Sequence, residues 1–109
     1  MNRARKGFIA LAALVGCTSA YADGDAAAGH TKFYTCVGCH GIPNYNNVYP
    51  EYRVPKLGGQ NADYIVAALQ EYKSGARSHQ TMHAQASSLS DQDMADIAAY
   101  LSTAPAEKE

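Results

Sequence analysis

The chain is 109 residues long, with nine Lys and Arg against ten Asp and Glu, a formal net charge of −1, three cysteines and no tryptophan. That length makes one small domain, and a balance with no excess of basic residues argues against a nucleic-acid partner and a polybasic membrane patch. No internal repeat or low-complexity tract interrupts it.

Residues 1–22 read as a secretory signal peptide. Arg3, Arg5 and Lys6 make a basic start, "GFIALAALVG" is a short apolar run, and Ala20-Tyr21-Ala22 is a small-x-small cleavage site. Roughly 10 apolar residues cannot cross a hydrocarbon layer of about 30 Å, which argues against a membrane anchor. "LVGC", Leu14 to Cys17, also resembles a lipoprotein-processing box that would leave Cys17 lipidated. Cleavage after Ala22 is the favoured expectation, because Asp23 begins a helix start. The domain is then 23–109, whose 87 residues carry six Lys and Arg against the ten acids, a net charge of −4. A core of that size is only just sufficient, and a covalently held cofactor would add apolar surface the chain lacks.

In chain order, "DAAAGHTKFYT" from Asp25 to Thr35 predicts a short helix, with Gly29 in its middle either permitting the close approach of something bulky or standing as a tolerated surface glycine. "TCVGCH" follows at residues 35–40. Gly41 to Gly59 holds Pro43, Pro50 and Pro55 and cannot run as helix; Tyr45, Tyr49 and Tyr52 within it suggest apolar packing with polar tips. Asn61 caps a helix over "ADYIVAALQEYKS" that Gly75 ends. Ala76 to Leu89 reads as irregular. Ser90 then caps the last helix, with Asp93 in the reciprocal position and Met94, Ile97, Ala98 and Leu101 on one face, closed by Pro105. No alternating strand pattern appears, so the expected fold class is all-α.

Cys36-x-x-Cys39-His40 admits three chemistries. Structural zinc needs four ligands, and only His79 and His83 could join the two cysteines. A redox dithiol opens a helix within a β-α-β pattern, for which there is no strand signal. Haem attachment uses every residue of the motif: two thiols add to the two vinyl groups on one porphyrin edge, and the next residue, His40, is placed to bind iron. Export agrees with haem, which is therefore the reading taken.

With these residues in view, the sequence resembles the class I bacterial c-type cytochromes, in particular small c553-like and c4-like domains. "GDAAAGHTKFYTCVGCHG", "VPKLGGQNADYIVAAL", "GARSHQTM" and "LSDQDMADIAAYLS" match that family's motifs in order and cover nearly the whole of 23–109. The match departs at Ile42 to Arg53, "IPNYNNVYPEYR", where the family has a Gly-rich loop. The resemblance implies a small cytochrome c fold, three to five helices wrapped around one covalent haem c. It also implies a helix crossing in which Gly29 and Phe33 face Tyr100, and a proline carbonyl, from Pro50 or Pro55, that holds His40.

For the second axial position the candidates are Met82, Met94, His79, His83 and His30. Met94 lies on an apolar helix face as core residues do, and His30 is expected to face solvent. Met82 is favoured: it stands in an irregular stretch, and the family places its ligand methionine after an arginine in this segment. Leu57, Tyr64, Ile65 and Leu101 are candidates for the haem pocket or for ordinary core, and Arg77 for a propionate partner or a solvated cation. The expected function is a periplasmic monohaem one-electron carrier, not an enzyme. It would work between redox proteins such as a quinol-oxidising complex, a dehydrogenase, or a terminal oxidase or reductase. A haem enzyme or a gas or redox sensor with an open sixth site is the alternative.

Overall fold

A computed structural model describes residues 23–105 except Pro43, Tyr49 and Pro50. The expected signal peptide, Cys17 and the Pro50 carbonyl lie outside the described residues. Among the described residues there are five α-helices, one 3₁₀ turn and one antiparallel pair of short strands. The fold is mostly helical, as the sequence predicts.

Helix α1, Ala26–Lys32, starts at Asp25, whose carboxylate accepts the amides of Ala27 and Ala28. The helix expected to reach Thr35 tightens instead into a 3₁₀ turn at Phe33–Thr35, and a separate one-turn helix α2 covers Val37–His40. Helix α3, Ala62–Ser74, has its expected ends: the Asn61 side chain accepts the Tyr64 amide at 3.0 Å, and Gly75 terminates it at φ 84°, a left-handed conformation that favours glycine. Helix α5, Asp91–Thr103, carries the full Ser90/Asp93 capping box.

Two stretches depart from expectation. Within 41–59, Asn46–Val48 (β1) and Glu51–Arg53 (β2) pair antiparallel, with Asn47 opposite Tyr52. Within 76–89, Gln80–Ser87 forms helix α4. Met82 therefore sits in the first turn of a helix and not in an irregular loop.

Helices α1 and α5 cross at glycine. Gly29 is buried, and a Cβ there would come within 1.9 Å of the Asp96 carbonyl oxygen. The expected contact is present: the Phe33 and Tyr100 rings lie 5.6 Å apart, and His30, exposed as predicted, rests its ring 4.9 Å from Tyr100. Asp96 tightens this crossing. Only 3 % exposed, it accepts the Asp25 amide at 2.8 Å, the Lys32 ammonium, and the Gln92 amide at 2.8 Å. Lys32 also reaches Asp93 at 2.8 Å. The Lys32 ammonium, foremost, holds both carboxyls below the usual range, each at about 2. Beside this polar seam lies the core of Ile65, Ile97, Ala98 and Leu101, with Phe33, Leu57, Val66 and Leu69 packed against it. The Gly59 amide ties the loop before α3 to the Leu101 carbonyl at 2.8 Å. No helix among the described residues is long and apolar enough to cross a membrane.

Candidate haem attachment site

The one-turn helix α2 explains the spacing of the motif. Cys36 is its N-cap residue in right-handed helical geometry, and the His40 amide donates to the Cys36 carbonyl at 2.9 Å. Positions i, i+3 and i+4 lie on one face of a helical turn, so Cys36, Cys39 and His40 present two thiols and an imidazole on the same side. Both thiols are free. Burial pushes the Cys36 thiol above its ordinary value, outweighing the lowering by the Thr35 hydroxyl. A reactive dithiol needs the opposite shift, so the redox-pair reading finds no support.

His40 is held by one bond: its Nδ1 lies 2.8 Å from the Pro55 carbonyl oxygen. A carbonyl can only accept, so Nδ1 carries the proton and Nε2 keeps the lone pair a metal would use. Of the two prolines expected to compete for this role, Pro55 makes the contact, and Pro50 lies outside the described residues.

The candidates for the opposite ligand are spread over different elements. Met94 is fully buried in α5 and belongs to the core, as its spacing predicts. His83 uses Nδ1 on the Tyr72 carbonyl, 2.8 Å away. His79 caps α4, its Nδ1 accepting the Met82 amide at 3.3 Å. Met82 is half-buried. The histidines do not gather with the cysteines: among the described residues no three His, Cys, Asp or Glu converge on a metal position, which removes the zinc reading.

The remaining predicted residues fall into two groups. Leu57, Ile65 and Leu101 meet in the core cluster. Tyr64 and Arg77 meet at the surface: the Arg77 guanidinium donates to the Tyr64 hydroxyl at 3.4 Å, stacks 5.3 Å from the Tyr72 ring centre, and pairs with Glu71 at 3.1 Å. Sequence reasoning missed Asp96 and the His79 cap. Asp96 shares a helix face with Asp93 and Tyr100, but its partners Asp25 and Lys32 are distant in sequence and no local pattern marks it.

Two thiols and an oriented imidazole on one helical turn suit a covalently attached iron porphyrin and fit neither a zinc site nor a dithiol. The fold and site thus define a haem protein of the c type. Residues 26–105 match the family model described as Cytochrome c, and the chain belongs to that family, whose members are electron-transfer proteins with covalently bound haem c. It is 43 % identical over 84 residues to cytochrome c4 of Pseudomonas aeruginosa, covering 77 % of this chain but 40 % of that protein. It is 45 % identical over 83 residues to cytochrome c-554(548) of Halomonas halodenitrificans, covering 73 % of this chain and 96 % of that one. Among solved structures, thiosulfate dehydrogenase from Marichromatium purpuratum superposes with a TM-score of 0.63 at 32 % identity, over 77 % of this chain and 20 % of that chain. The chain therefore spans less than half the length of the cytochrome c4 it matches and nearly all of the Halomonas protein.

Proposed function

We propose that residues 23–109 form a periplasmic monohaem electron carrier, joined to haem through Cys36 and Cys39, with iron held between His40 and Met82. Haem c supplies a single reversible electron between ferrous and ferric iron. The protein's part is to fix both ligands. Pro55 holds His40 in one tautomer and one ring orientation, which raises the donor strength of Nε2. A thioether is a soft, neutral donor that favours the reduced metal, so Met82 raises the potential relative to a second histidine. Held by both His40 and Met82, the iron would have no open position for a substrate and would exchange electrons alone. The partners are other redox proteins; likeness to one part of a thiosulfate dehydrogenase makes a dehydrogenase a reasonable donor. Export rests on the leader-like residues 1–22.

The observation that carries this reading is the His40–Pro55 bond, which orients an imidazole beside two free thiols. The ferric holoprotein should be low-spin, with the weak far-red charge-transfer band of sulfur bound to iron, and Met82→Ala should abolish that band. A high-spin ferric wild type that binds cyanide without delay, or a reduced form that binds carbon monoxide at once, would sink the carrier reading.

A further inference from the structure

We propose that Tyr52 and His79 form a brace that fixes the first turn of α4, so that the hairpin serves as a positioning element for the Met82 thioether. This inference rests on the assignment of Met82 as axial ligand.

Helix α4 has little to hold it by itself. It is eight residues long, and isolated helices shorter than about 12–15 residues are marginal in water. Its residues "QTMHAQAS" place only Ala86 fully inside. The amides of its first turn need partners from outside the helix. His79 supplies one, since its Nδ1 accepts the Met82 amide at 3.3 Å, so the ligand residue's own backbone is what the cap secures.

The cap is in turn clamped. Tyr52 of β2 sets its ring edge-on to the His79 ring at 4.7 Å and 81°. Its hydroxyl donates to Thr81 Oγ1 at 3.0 Å. Tyr52 thus grips residues 79 and 81, one on each side of Gln80, across the turn that carries Met82. Tyr72 of α3 also meets the imidazole edge-on, at 6.1 Å and 77°. The far half of α4 is tied to α3 by His83 on the Tyr72 carbonyl. The first turn therefore depends on the hairpin, which occupies the stretch where the sequence leaves its family's pattern. Tyr52 and His79 are positioning residues, acting on the iron only through Met82.

The test uses holoprotein variants His79→Ala, His79→Asn and Tyr52→Phe, with Met82→Ala as control. The readouts are the ferric far-red band, the reduction potential and the apparent affinity for added imidazole. Imidazole competes with the thioether, so its apparent affinity rises in proportion to the fraction of molecules in which Met82 is released. Loss of an N-cap should raise that fraction about fivefold in His79→Ala, with the same change in imidazole affinity, a weaker band and a lower potential. Asn, whose Oδ1 can accept the same amide, should restore all three to within about twofold of wild type. Tyr52→Phe keeps the ring contact and loses the bond to Thr81; it should raise imidazole affinity about twofold to fivefold, and it tests the brace should His79→Ala not fold. Retention of the band in Met82→Ala would overturn the ligand assignment itself. Loss of the band there, with His79→Ala and Tyr52→Phe binding imidazole as wild type does, would overturn the brace alone. Failure of Asn to rescue would overturn the capping role of His79.

Discussion

Replacing Gly29 with alanine separates two opposing effects whose sizes the structure supplies. Alanine favours a helix interior over glycine by about 1 kcal/mol, so propensity alone predicts a gain. The α1–α5 crossing predicts a loss. The new Cβ would lie 1.9 Å from the Asp96 carbonyl oxygen and 2.9 Å from Tyr100 Cβ, and ordinary contact begins at 3.4 Å, a shortfall of 1.5 Å against backbone that cannot rotate away. Relieving it requires α1 to retreat, which takes the 2.8 Å Asp25–Asp96 bond past useful length and loosens the Phe33–Tyr100 pair. Overpacking costs about 1–3 kcal/mol and the ring pair about 0.5–1.5, so after the propensity gain the net loss is about 0.5–3.5 kcal/mol. For a domain of this size that is a fall in Tm of about 2–28 °C, read by thermal unfolding of the holoprotein. Gly75→Ala is the comparison: nothing lies within 4 Å of its Cβ, and only the left-handed φ of 84° is at stake, for about 1 kcal/mol. A Gly29→Ala protein as stable as wild type, or more so, would refute the crossing.

Acid should weaken the same crossing. Asp93 and Asp96 titrate at about 2 when folded against 3.8 ordinarily, so their contribution is present above about pH 4 and is lost as pH falls through about 2. Guanidinium midpoints measured from pH 5 to pH 2 should fall, and fall less steeply in Asp96→Asn, which is the less stable protein at pH 7; equal slopes would contradict the Lys32 network. Lys32 runs the other way: its raised pKa stabilises the fold below about 10.5 and that support is lost in stronger alkali. Arg77→Lys keeps the charge but loses the stacked, forked contacts with Tyr64, Tyr72 and Glu71; being at the surface, it should barely move the chemical-unfolding midpoint, and a large fall would mean that the cluster is part of the core.

What could be read in the sequence was what local chemistry decides. Asn61, Gly75 and the Ser90/Asp93 pair set helix ends through their own backbone neighbours, and all three stand where their types place them. The attachment motif was legible because Cys36, Cys39 and His40 need no distant residue to share one face. What escaped depends on partners far along the chain. Helix α4 has no apolar period, and its cap is a histidine, a residue outside the usual capping set, held by Tyr52 from the hairpin. The strands are three residues long, with only their middle residues partly covered, which gives too little alternation to see. Asp96 reads as an ordinary surface acid until Asp25 and Lys32, more than 60 positions away, close on it. The choice between Pro50 and Pro55 likewise needed the fold, since both follow the motif at plausible distance and only the path of the chain brings the Pro55 carbonyl to His40.

Intact-mass and peptide mass spectrometry of the purified protein, after treatment with a thiol alkylator, tests the account at its base. The peptide bearing Cys36 and Cys39 should carry the mass of one haem and take up no alkyl group. A colourless protein in which both thiols alkylate would contradict it.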